Sequence, residues 1–163
     1  MIVAAQWQGF FTAAAGASGA LVGLIFVALS VNIREILKYD HLAPRGAAAL
    51  SALMLILVTS LCALAPQPGR LFGAEVAVFG LAAWSLQIRA ALQSHIARRT
   101  HGRPDHEAPV QTVLGQVQIA PFLAGAALFA AGGDGVGWLV GGTVAVFILA
   151  VIDAWVLLVE ILR

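Results

Sequence analysis

The sequence predicts an all-α integral membrane protein, a single bundle of five transmembrane helices. Three observations carry this expectation. The chain is 61% hydrophobic and 10% charged, with a mean hydropathy of +0.94, whereas a soluble domain is nearer one half apolar and one quarter charged. A water-soluble chain of 163 residues with this composition has too few polar groups to cover its apolar surface. The apolar residues fall in five long runs, each near the ~20 helical residues that cross a ~30 Å hydrocarbon layer. The charges collect in the short segments between the runs.

The spans are placed at about 10–33, 46–65, 71–93, 110–132 and 136–162. The first follows MIVAAQWQGFF, which has no Lys or Arg ahead of its apolar run. A secretory signal carries a basic segment there, so this run is expected to stay as a membrane helix. It ends in REILKYDHLAPR, and Pro44 marks the helix boundary in that connection. The second and third spans are joined by PQPG, and the fourth and fifth by GGDG, both tight links between antiparallel neighbours. The third span runs into the polar stretch SHIARRTHGRPDHEAP. Pro121 lies inside the fourth span, where it kinks the helix or frees a carbonyl for another partner.

Orientation follows from Lys and Arg. Arg34, Lys38, Arg45, Arg98, Arg99, Arg103 and Arg163 lie in the first and third connections and at the C-terminus, with only Arg70 on the other side. An odd number of spans then puts the N-terminus outside and the C-terminus in the cytoplasm. The expected location is a bacterial inner membrane, the chain being Arg-heavy with Lys38 its sole lysine.

Small residues mark candidate helix contacts. Gly16, Gly19 and Gly23 run with Thr12 and Ser30 along the first span, and Gly137 and Gly141 repeat the spacing in the fifth. In lipid such seams let backbones approach closely, within one chain or between copies of a homo-oligomer. Gly115 and Gly125 line a face of the fourth span.

Polar groups inside the spans are expensive and should face protein or water. Glu75, Ser85, Arg89 and Gln93 share a face of the third span, Gln116 and Gln118 sit in the fourth, and Asp153 and Glu160 in the fifth. With a rise of 1.5 Å per residue, Asp153 lies roughly 15 Å from the terminal Arg163, Arg89 roughly 14 Å from Arg98, and Gln116 roughly 12 Å into its span. One polar layer, of Arg89, Gln116, Gln118 and Asp153, is therefore expected, with Asp153 paired to Arg89. Asn32, Glu35 and Glu160 form a shallower ring towards the cytoplasm. Two readings stay open: a satisfied lock that only orients helices, and a path for ions or protons.

Other chemistry finds little support. A net charge of +1 lacks the basic patch of a nucleic-acid binder. Cys62 is single and apolar in context, so it reads as a small buried hydrophobe. His101, Asp105, His106 and Glu107 are the weak candidates for a metal, in a loop without Cys or an HExxH helix. No phosphate loop, Ser/His/Asp order or paired-Cys motif occurs, so neither an enzyme nor a cofactor is expected. Lys38 lies outside the spans, which excludes an intramembrane retinal Schiff base. Trp7 and Trp138 fit an aromatic belt, and Trp84 and Trp155 are expected in the core.

GLIFVALSVNIREIL, LAPRGA, PQPG and AWVLLVEILR together resemble a family of small bacterial membrane proteins, common in actinobacteria and sometimes labelled modulators of the FtsH protease. The resemblance spans almost the whole chain and implies a multi-pass protein of the bacterial membrane. It carries over no catalytic residues. Two functions are thus expected in competition. One is an oligomeric, ion-conducting channel. The other is a non-conducting regulatory or scaffold protein that binds a membrane partner, such as a protease, through its cytoplasmic loops.

Overall fold

A computed structural model of the chain describes residues 5–36, 38, 42–100 and 108–162. The described residues form five long helices and one single turn. Helix α1 spans Ala5–Val31, the turn α2 Ile33–Ile36, α3 Leu42–Leu64, α4 Gly69–Thr100, α5 Ala108–Ala130 and α6 Val136–Leu162. Four of them contain segments long and apolar enough to cross a membrane, at Gln6–Val31, Gly46–Leu64, Gly69–Gln93 and Val113–Ala130. In α6 the apolar stretch found among the described residues is Val136–Ile152. Helices suit this composition because each satisfies its own backbone hydrogen bonds without water.

Successive long helices run antiparallel. Helices α3, α4, α5 and α6 pack in sequence order, and α3 also meets α6, which closes a four-helix ring. Helix α1 lies outside the ring against α3. Inside, Leu53, Ile56, Phe122, Leu139 and Val146 are fully covered, and the rings of Phe72 and Phe129 meet edge to face at 5.1 Å. Large apolar side chains on α4, α5 and α6 point outward instead, among them Val78, Leu92, Val113 and Ile148.

Both short links are shaped by specific residues. After α5, the N–H of Gly133 donates to Leu128 O at 2.8 Å and that of Gly132 to Phe129 O at 3.0 Å. This Schellman pattern places Gly132 at φ +83°, where a side chain is strained. Asp134 then accepts from the Val136 N–H at 3.0 Å and caps α6. At the other link, Gln67 Nε2 donates to Cys62 O at 2.9 Å, sharing that carbonyl with the Ala65 N–H at 3.2 Å, and to Glu75 Oε2 at 2.7 Å on α4. The PQPG segment is thus clamped to both helices it joins.

Helix α5 runs unbroken through Pro121. The proline lacks the N–H that would bind Val117 O, and its ring lies against α6, 3.0 Å from where a Cβ on Gly142 would stand. Trp84 and Trp155, expected in the core, are instead exposed. Indole rings carry a polar N–H, and the interior of this ring is filled by Phe, Leu and Ala.

Gly132→Ala is expected to lower stability by about 1 kcal/mol, because Ala at positive φ is strained. Asp134→Ala is expected to cost about 1 kcal/mol through loss of the cap. Unfolding in mixed detergent micelles measures both.

Candidate functional site

The polar side chains of α4 and α5 divide into an inward set and an outward set. Gln87 and Gln118 are inward and both buried. Gln87 Nε2 donates to Gln118 Oε1 at 3.1 Å, and its longer contact to Ala48 O, 3.5 Å, reaches α3. The Ala48 carbonyl also accepts from Ser51 Oγ at 2.8 Å. One carboxamide therefore joins three helices at one level.

Space for it comes from Gly115. A Cβ there would stand 2.7 Å from Gln87 Oε1, so a side chain at this position would push the amide from its place between α4 and α5. Gly125 plays the same part against α6, where an added Cβ would meet Leu139 Cδ2 at 2.8 Å.

Gln116 takes a different direction from Gln118. Two residues along a helix is about 200° of rotation, so the pair cannot share a face. Gln116 Oε1 accepts a hydrogen bond from Trp84 Nε1 at the outer surface of α4 and α5. Arg89, likewise two residues after Gln87, is exposed, as are Ser85 and Gln93. Arg89 makes no hydrogen bond or ion pair with another described residue. The expected layer is thus represented by Gln118 inside and by Gln116 and Arg89 outside. Gln87, which the sequence reading passed over, is its central member. Its signal was available: a heptad of α4, Gly80 to Gln87, continues the buried face.

The side chains of Asp153, Glu160 and Glu35 lie outside the described residues, as do His101, Asp105, His106 and Glu107 altogether. Helix α6, which carries Asp153, packs on α5 and α3, whereas Arg89 points away from the ring. Asn32 is half-buried, and its Nδ2 donates to Ala28 O at 2.9 Å, so the residue closes the end of α1. Among the described residues no three His, Cys, Asp or Glu side chains gather as metal ligands.

Hydroxyl groups in the spans mostly bond to their own helix. Ser18 Oγ reaches Ala14 O at 2.7 Å and Ser30 Oγ reaches Phe26 O at 2.8 Å. Thr59 Oγ1 and Ser60 Oγ are buried without a partner among the described residues. Each has a carbonyl of its own helix one turn back, at Leu55 and Ile56, within reach of a χ1 rotation.

The glycine seams have an uneven outcome. Gly19 meets Leu57 Cδ1 on α3 at 3.9 Å, whereas Cβ atoms at Gly16, Gly23, Gly137 and Gly141 would meet nothing within 4 Å. Gly137 and Gly141 line an open groove of about 590 Å³ between α5 and α6, together with Pro121, Asp134, Trp138 and Gly142. Compared with family models, curated proteins and solved structures, the chain matches none.

A double-mutant cycle of Gln87→Ala and Gln118→Ala is expected to show coupling of about 0.6 kcal/mol, typical of a hydrogen bond between membrane helices. Additive losses in unfolding in mixed micelles would mean that the two amides act independently.

Proposed function

We propose that the protein is a homo-oligomeric, channel-like protein of the bacterial inner membrane. It crosses the bilayer five times, with the N-terminus outside and the C-terminus in the cytoplasm, and its copies meet through α1. The uncovered face of α1 carries this reading. Only 17% of its span is buried within the chain, against 33–39% for the other three. From Gln6 to Gly23 every exposed residue of α1 is Gln, Gly, Thr or Ala. The outward faces of α4, α5 and α6 present Leu, Val, Ile and Trp. Large side chains suit acyl chains, and small ones suit another helix.

Thr12 and Ser30 are both exposed on α1. They are 18 residues apart, five full turns, and so point in the same direction. Gly23 falls within about 20° of that line and leaves backbone uncovered. Copies of α1 packed around an axis would line a narrow path with two hydroxyl rings, bare helix at Gly23 and the exposed Phe26 one turn before Ser30. The Gln87–Gln118 amide link is satisfied within one chain. That supports the locking role for it and leaves conduction to the interface between copies.

In a Cys62→Ala background, Ala13→Cys is expected to form intermolecular disulfides in the membrane, and Gly16→Leu to reduce them. Purified protein in liposomes is expected to pass ions, with Thr12→Leu slowing flux several-fold. Monomers without cross-links would overturn the assembly. Cross-linked oligomers silent across pH and voltage would shift the reading to the regulatory or scaffold role that the family resemblance implies.

A further inference from the structure

Arg89 has no part in the amide lock or in the face of α1. Its neighbour Gln87 points at α3 and α5, and a turn of about 200° directs Arg89 away from both. It is exposed and unpaired among the described residues. The carboxylates with described side chains stand at the far end of the bundle. Glu75 is 14 residues earlier on α4, about 21 Å along the axis, and accepts from Gln67. Asp134 caps α6 at that same end. Helix α6, bearing Asp153 and Glu160, packs behind the outward face of α4 on α5 and α3.

The surface around Arg89 is of the kind that meets acyl chains. Leu81, Leu86, Ile88 and Leu92 are exposed there, in contrast to the small residues exposed on α1 between Gln6 and Gly23. A guanidinium at the centre of hydrocarbon is costly. Arg89 lies four residues before Gln93, where the apolar span ends, about 6 Å along the helix. An arginine so placed extends its head to the interface while its stem stays in the apolar layer. Gln93, one turn nearer that interface, exposes amide donors on the same side of α4.

We propose that Arg89, assisted by Gln93, seats the headgroup phosphate of an anionic phospholipid, whose acyl chains lie along Ile88 and Leu92. The preference for a net anionic lipid follows from charge. The guanidinium lacks a counter-charge among the described residues, and a zwitterionic headgroup brings its own ammonium to offset its phosphate. This seat goes beyond the conduction reading and does not depend on it, because it belongs to each copy's own α4.

The test uses the full-length protein in nanodiscs of phosphatidylcholine with graded phosphatidylglycerol, and counts retained lipids by native mass spectrometry after extraction. Wild-type protein is expected to retain phosphatidylglycerol roughly fivefold over phosphatidylcholine, the effect of about one basic residue near an anionic surface. Arg89→Gln should bring that ratio close to one, and Arg89→Lys should keep most of it. Equal retention of the two lipids by wild type, or an unchanged ratio in Arg89→Gln, would overturn the proposal. So would displacement of the lipid by millimolar inorganic phosphate, which would make a free anion the ligand. A change of oligomer size in Arg89→Gln without a change of lipid ratio would assign the counter-charge to another copy and overturn it too. Ion flux is read separately, so a silent but lipid-selective protein would leave this inference standing.

Discussion

A primary carboxamide cannot sit in an apolar bundle without partners, and Gln87 is placed where three helices supply them. Its amide group donates to Gln118 on α5 and approaches the Ala48 carbonyl of α3. With no water to compete, removal of either partner leaves a polar group stranded. The link therefore sets the axial register of α3, α4 and α5, which leucine contacts alone would leave free to slide. Gly115 belongs to the same device, since a methyl group there would crowd the Gln87 oxygen at 2.7 Å.

Much of the architecture was legible in the sequence because hydrocarbon imposes a simple rule. Uninterrupted apolar runs must be helices, and PQPG and GGDG must be turns. The boundaries of α3 and α5 fall within a few residues of the expected spans. That Gln116 and Gln118 would find polar partners was also legible: they bond to Trp84 and Gln87. Rotation about the helix axis was not. Counting residues from a span end gives height and says nothing of azimuth, so Arg89, Gln116 and Gln118 looked like one layer although they point in different directions. Hydrophobic periodicity normally supplies azimuth, but a helix surrounded by lipid is apolar all round. The tryptophans misled for the same reason.

The two kinds of exposed surface divide the work of the fold. Helices α4, α5 and α6 close a ring with α3 and present bulky side chains outward. Helix α1 is attached to that ring mainly through α3, with a slight contact to α6, and from Gln6 to Gly23 offers glutamine, glycine, alanine and threonine on its open side, followed by Leu24, Phe26, Val27 and Val31. The ring is held by its own amide link and by close glycine contacts, so α1 can take part in assembly without the ring's packing being altered. Under the two proposals above, Arg89 on the bulky surface and Thr12 on the small one would serve separate relationships of the protein, one with lipid and one with its own copies.

The clamp that Gln67 makes between Cys62 and Glu75 spans fewer than fifteen residues, and the Gly132–Asp134 turn is shorter still. Contacts this local close quickly and cost little chain entropy. Each pair of helices flanking such a turn can therefore settle as a hairpin before the rest of the bundle is assembled. The amide bridge among α3, α4 and α5 has to wait until both hairpins are side by side, which makes it the natural last step in maturation of the ring.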